Sequence, residues 1–132
     1  MDEDNKTKIL IVEDEELILK PYSEELRDEG FFVLQAKNGQ EGLGLALSEK
    51  PDIILLDILM PVMDGITMMY KLRETNPYGK DVPIILLTNL SPDEEKTMKA
   101  VVDNEPAYYL VKSDWNLKDV VGKIKERLER KA

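Results

Sequence analysis

Ile53-Ile54-Leu55-Leu56-Asp57 is the stretch that decides the fold. Four apolar residues bounded by turn signals (Pro51-Asp52 precede them) read as a strand buried on both faces, as in a parallel sheet. Three more runs have the same form. Ile9-Leu10-Ile11-Val12 ends at Glu13-Asp14, Ile84-Ile85-Leu86-Leu87 at Thr88, and Tyr108-Tyr109-Leu110-Val111 at Lys112. In a parallel sheet the carboxyl ends of the strands share one edge, where open α/β folds bind ligands. The pattern therefore gathers three carboxylates, a hydroxyl and an ammonium at one place.

The segments between these runs have helical period. Leu17, Ile18, Tyr22 and Leu26 fall at helix spacing, and Gly30 is placed to end that helix. Pro21 lies inside it, where it removes a hydrogen bond and costs about 3 kcal/mol, so a kink or a late helix start is expected. Phe31-Phe32-Val33-Leu34 reads as another strand, Asn38-Gly39 as a turn or cap, and Glu41 to Ser48 as a helix. Met60-Pro61-Val62-Met63-Asp64-Gly65 is a loop by its Pro and Gly. A helix from Ile66 to Glu74 follows, and Asn76-Pro77-Tyr78-Gly79 breaks it. Ser91-Pro92-Asp93-Glu94 carries helix-start signals: a Ser cap, Pro at the first position and acids in the first turn. Leu117, Val120, Val121, Ile124 and Leu128 share one face of a last, amphipathic helix with basic residues toward its carboxyl end. The sum is an α/β fold, (βα)5, doubly wound on a five-stranded parallel sheet with short right-handed connections.

At 132 residues the chain suits one domain with a single ordinary core, and 42% hydrophobic with 34% charged residues suits a globular protein. Residues 1–7 read as a flexible acidic N-terminal tail and 8–132 as the folded domain, ending with its last helix and leaving no second domain. No run approaches the roughly 18 apolar residues of a membrane span, and no export signal is evident, which makes the cytoplasm the default and the membrane no partner. The charge of −9, from 18 basic and 27 acidic residues, argues against direct nucleic-acid binding. There is no histidine and no cysteine. Imidazole bases, thiolates and disulfides are thereby excluded, and chemistry must run on carboxylates, Thr, Lys and a bound cation.

Glu13, Asp14 and Asp57 would crowd three negative charges, which repel unless a cation neutralises them. Oxygen ligands without His or Cys favour a hard ion such as Mg²⁺. Acids at a helix start are common for dipole reasons, so Glu13 and Asp14 alone prove little. Asp57 is different, because an aspartate closing a buried strand needs a partner. Lys112 can supply a fixed positive charge and Thr88 a hydroxyl donor, although each alone also reads as a surface lysine or a strand-end β-former. Around one aspartate, a cation, an ammonium and a hydroxyl are what a transferred phosphoryl group requires. The aspartate itself can be the nucleophile that accepts it as an acyl phosphate.

Together these residues resemble the receiver domain of two-component response regulators, over nearly the whole chain from Lys8 to Leu128. The motifs that carry the resemblance are Glu13-Asp14, Asp57 with Met60-Pro61-Met63-Asp64-Gly65, Thr88, and Tyr109-x-x-Lys112. The resemblance implies a flavodoxin-like sheet of order 2-1-3-4-5. It implies that Asp57 accepts a phosphoryl group from a partner sensor histidine kinase or histidine phosphotransfer protein. Asp14, Asp57 and the backbone carbonyl of Leu59 would bind Mg²⁺ directly, and Glu13 through water. Lys112 would pair with the phosphoryl group, Thr88 would move to hydrogen-bond it, and Tyr109 would turn inward as the coupled switch. The responsive face would be the fourth and fifth strands with the helices that follow them, read by a downstream protein. Such a domain is a signalling phospho-acceptor rather than an enzyme, assisting its own phosphotransfer and slow autodephosphorylation. It would act alone or as a phosphorelay shuttle, as a monomer or a phosphorylation-dependent dimer.

Three positions depart from the family pattern. Ser113 follows Lys112 where receivers usually have a cis proline; a non-proline cis bond costs about 3–4 kcal/mol, so a trans bond and an altered loop are expected. Asn89 stands where a small residue is usual, which would narrow access to the site. Leu59 and Leu90, two residues beyond Asp57 and Thr88, should hinder in-line attack by water and prolong an aspartyl phosphate. Competing readings are a Mg²⁺-dependent phosphohydrolase with an aspartyl nucleophile, a receiver kept only for binding, and the receiver half of a truncated DNA-binding regulator. The phosphohydrolase is disfavoured by Leu59, where haloacid-dehalogenase-like enzymes usually carry a second acid.

Overall fold

Alternate residues of each apolar run face opposite sides of one sheet, and each side has its own core. A computed structural model describes residues 6–90 and 95–130, with the backbone alone for 95–97. The strands are β1 (Lys8–Val12), β2 (Phe32–Ala36), β3 (Ile53–Leu56), β4 (Ile84–Thr88) and β5 (Tyr108–Val111). All pair in parallel in the order β2-β1-β3-β4-β5. The helices are α1 (Glu16–Asp28), α2 (Gly39–Glu49), α3 (Gly65–Thr75), a short α4 (Pro77–Asp81), α5 (Glu95–Asp103) and α6 (Leu117–Glu129). Ile9, Ile11, Ile53, Leu55, Ile85 and Leu87 pack against Leu19 and Leu26 of α1 and Val120 and Ile124 of α6. Leu10, Val12, Ile54, Leu56, Ile84 and Leu86 pack instead with Ala46 of α2, Met68, Met69 and Leu72 of α3, and Val101 of α5. Each such buried side chain stabilises the fold by about 1.5–3 kcal/mol relative to exposure.

Local chemistry explains most boundaries. Gly30, at φ 96°, closes α1, with the Gly30 and Phe31 amides donating to the carbonyls of Arg27 and Leu26. Asn38 caps α2 by accepting the Glu41 amide at 2.9 Å, and Glu41 reaches back to the Lys37 amide at 3.3 Å. Of the two expectations at Pro21, the late start is not met, since α1 begins at Glu16 and runs through it. The carbonyl that Pro21 leaves without an N–H belongs to Leu17, and both residues lie on the solvent side, Leu17 89% exposed. Asn76-Pro77-Tyr78-Gly79 stops α3 and also starts α4: Asn76 accepts the Gly79 amide at 2.7 Å, and Pro77 takes the first helical position. The helix start expected at Ser91–Glu94, the tail residues 1–5 and residues 131–132 lie outside the described residues.

Two fixtures hold the layer of α2, α3 and α4 to the sheet. The Arg73 guanidinium donates to four backbone carbonyls, those of Asn104 (2.9 Å), Gly79 (2.9 Å), Val82 (2.7 Å) and Glu105 (3.1 Å). The loop from Ile58 to Asp64 is gripped at both ends, by the Gly65 amide on the Ile58 carbonyl (2.8 Å) and the Gly39 amide on the Met63 carbonyl (2.9 Å). Within it Val62 has φ 68° and the Met63 amide donates to the Pro61 carbonyl at 2.7 Å, a tight γ-turn in the left-handed region that a β-branched residue disfavours.

A Cβ on Gly65 would overlap the Asp57 carbonyl, which belongs to buried backbone. Gly65→Ala is therefore expected to lower the unfolding free energy by about 2 kcal/mol or more in denaturant titrations. Gly44→Ala, inside α2 with nothing within 4 Å of the added methyl, should raise it by about 0.5–1 kcal/mol.

Candidate functional site

Four strands deliver the polar residues to the carboxyl edge. β1 runs into Glu13, β3 into Asp57, β4 ends at Thr88, and β5 runs into Lys112. Glu13 and Asp57 are 3% and 4% exposed and Thr88 is fully buried, so none is an ordinary surface residue. The Lys112 ammonium joins the two carboxylates, at 2.9 Å from Glu13 Oε1 and 3.2 Å from Asp57 Oδ2. Asp57 Oδ1 accepts the Ile58 amide at 2.8 Å, and Glu13 Oε2 accepts the Glu15 amide at 3.1 Å. The buried aspartate thus has its partners.

A third acid also reaches Lys112. Glu15 Oε1 lies 3.6 Å from the ammonium, with the Glu15 side chain 56% exposed. Glu13, Asp14, Glu15 and Asp57 can each offer a carboxylate oxygen within 4.8 Å of the others. This all-oxygen donor set around a buried aspartate fits a hard divalent cation. Sequence reasoning missed Glu15, which as an acid opening a helix is indistinguishable from one placed there by the helix dipole. It missed Tyr22 as well, because a tyrosine at helix spacing reads as core. Burial raises the Tyr22 phenol pKa, the Lys112 charge pulling it down and the Glu13 charge pushing it up, so the ring senses the pair.

The charges set one another's protonation. Burial pushes the Glu13 carboxyl up to about 7, against the hydrogen bond from Lys112 and with help from the Asp57 charge. Burial alone would lower Lys112, but its hydrogen bond to Glu13 and the Asp57 charge outweigh that and leave it raised.

Thr88 and Tyr109 meet at one residue, Leu90. The Leu90 amide donates to Thr88 Oγ1 at 3.3 Å, and the Tyr109 hydroxyl donates to the Leu90 carbonyl at 2.6 Å. Tyr109 packs with the core on the α2, α3 and α5 side. Leu59 is 59% exposed in the loop after β3, Asn89 is exposed, and Leu90 is half-buried.

The Lys112–Ser113 bond is trans, as the sequence led us to expect. Lys112–Asp114 form a single 3₁₀ turn. Trp115 packs against the core on the α1 and α6 side, and the Lys123 ammonium sits 5.0 Å from the Tyr108 ring centroid and 5.8 Å from that of Trp115.

Comparison with known proteins agrees with the geometry. The chain belongs to the response regulator receiver domain family, whose model matches residues 9–125. It is 34% identical over 130 residues to the transcriptional regulatory protein ResD of Bacillus subtilis, covering 98% of this chain and 51% of that one. It is 37% identical over 123 residues to the transcriptional regulatory protein SrrA of Staphylococcus aureus, covering 93% of this chain and 48% of that one. Among solved structures, a CheY-like receiver domain protein from Methanospirillum hungatei superposes with a TM-score of 0.84 at 28% identity, covering 95% of each chain. The chain spans about half the length of these two curated relatives. It is a receiver of two-component signalling, and the flavodoxin-like order 2-1-3-4-5 is the one observed. Among the described residues no helix is long and apolar enough to cross a membrane.

The raised Glu13 pKa has a stability consequence in metal-free protein. Between 4.5 and about 7 the folded state keeps a proton that the unfolded state releases. Its stabilising contribution is complete below 4.5 and lost as pH rises through about 7. From about pH 5 to about pH 8, wild type should therefore lose about 1–3 kcal/mol relative to Glu13→Gln in parallel denaturant titrations.

Proposed function

We propose that Asp57 is the phospho-acceptor of this receiver and that Lys112, Thr88 and a Mg²⁺ ion assist the transfer. The observation that carries the reading is a buried aspartate held by an amide on one oxygen and by the Lys112 ammonium at 3.2 Å on the other. An Asp57 carboxylate oxygen attacks phosphorus, the P–N bond of a partner's phosphohistidine breaks, and the imidazole leaves with the electron pair. Transfer between two such groups is mostly positioning and electrostatics, which a fixed ammonium and a preset carboxylate supply. Asp14, Asp57 and the Leu59 carbonyl would hold the ion directly and Glu13 through water. Bound there, Mg²⁺ neutralises the carboxylates and the charge on the phosphoryl oxygens. Lys112 follows the new negative charge, exchanging a contact with Asp57 for one with the phosphoryl group.

Thr88 reads the change. Its hydroxyl turns toward the phosphoryl oxygens and releases the Leu90 amide. Because Tyr109 holds the same residue through its carbonyl, the change passes to β5, and the face formed by β4, α5, β5 and α6 becomes the output surface. The partners are a sensor histidine kinase or histidine phosphotransfer protein and a downstream protein, in the cytoplasm, where ATP-dependent kinases act. Residues 8–132 form the receiver and 1–7 its acidic tail. Direct nucleic-acid binding by the receiver is opposed by its charge of −9.

Incubation with Mg²⁺ and acetyl phosphate, or with a phosphorylated histidine kinase, should add one phosphoryl mass to wild type and none to Asp57→Asn. No gain in wild type under either donor would sink the acceptor role. Leu59 and Leu90 flank the acceptor as apolar barriers to water, so replacing both with Asn should shorten the aspartyl-phosphate half-life several-fold. An unchanged or longer half-life would remove these leucines from its control.

A second reading is favoured by the length of the relatives: the same receiver serving as part of a longer transcriptional regulator. An antibody to this chain separates the two, detecting the endogenous protein at the mass of the chain or at about twice it.

A further inference from the structure

We infer that Glu15 is a specificity residue that disfavours small anionic phosphodonors at Asp57. The inference rests on the acceptor reading above and adds a residue to it. Glu15 is the N-cap residue of α1, yet its side chain makes no cap hydrogen bond to that helix. Its carboxylate turns instead to Lys112, 3.6 Å from the ammonium, on the solvent side of a pair already satisfied by Glu13 and Asp57. The Lys112 side chain is 9% exposed and that of Glu15 56%, so Glu15 sets a solvent-facing charge, beside the exposed Asp14, directly against the ammonium.

Two effects follow, and they act in the same direction. The ammonium that must meet the incoming phosphoryl oxygens is shared with a third carboxylate, and the mouth of the site carries an extra negative charge. At about 6 Å, in a medium between protein surface and water, one such charge slows the approach of an anion about three- to tenfold. A phosphohistidine presented by a protein arrives with its own surrounding charges, and a cationic side chain beside it can pair with Glu15. A free acyl phosphate has no such partner. Glu16, the next acid along, pairs with Lys37 at 3.2 Å and not with Lys112, so it serves as the control for net charge.

The test is the initial rate of phosphoryl mass gain at saturating Mg²⁺ for wild type, Glu15→Gln, Glu15→Asp and Glu16→Gln. The donors are acetyl phosphate and phosphoramidate, the second carrying less net negative charge because its nitrogen is protonatable. Glu15→Gln should be labelled by acetyl phosphate about three- to tenfold faster than wild type, and less so by phosphoramidate. The gain should shrink with added salt. Glu15→Asp, which keeps the charge, should remain slow, and Glu16→Gln should match wild type. Equal rates for wild type and Glu15→Gln, an equal gain in Glu16→Gln, or a gain that ignores donor charge and salt would each overturn the assignment. Failure of wild type to label at all would instead overturn the acceptor reading.

Discussion

A single ammonium decides what the carboxyl edge can be. Glu13 and Asp57 end neighbouring strands and are nearly closed off from water, an arrangement that two like charges resist. Lys112 makes it tolerable, yet it comes from β5, which lies beyond β4 in the sheet. The ammonium must reach past the end of β4 to both carboxylates, and the last residue of β4 is Thr88. Strand order thus brings Thr88 to the same edge as the acids and their countercharge. A truncated Lys112 would leave two buried acids without a cation, the situation in which removing one partner costs most.

Precision at this edge is built from behind. The two apolar sets of the sheet pack against different helices, so each strand is fixed from both sides and its last residue has little freedom. The backbone of the loop after Asp57 is gripped at Ile58 and Met63 by two glycines whose missing Cβ atoms allow the approach, while Ile58, Met60 and Met63 pack into the core. Val62 tolerates its left-handed backbone because both flanks are held.

β1, β3 and β4 were legible because a strand buried on both faces leaves a run that needs no periodicity to be seen, whereas β5, read the same way, is an edge strand that fully buries only Leu110. Glu13, Asp57, Thr88 and Lys112 were legible because a polar residue ending such a run has few reasons to be there. Glu15 was not, since its type and place are those of any acid opening a helix, and only the direction of its side chain distinguishes it. Tyr22 is hidden by its own amphipathic nature: the ring belongs to the core, while the phenol responds to the site. Pro21 did not delay the start of α1, because solvent at Leu17 relieves part of the cost that the rule against proline in helices supposes. Asn76 to Gly79 ended α3 as expected but hid α4, because residues that end one helix well are also good at starting the next.

All four hydrogen bonds of Arg73 go to main-chain carbonyls, in α4, before β4 and before β5. A carbonyl is the same group whatever side chain it carries. The guanidinium therefore dictates where these three segments run without dictating what they are made of. The turns at the amino edge of the sheet are free to change their surface chemistry while the strands that leave them keep their register, and with it the alignment of the opposite edge.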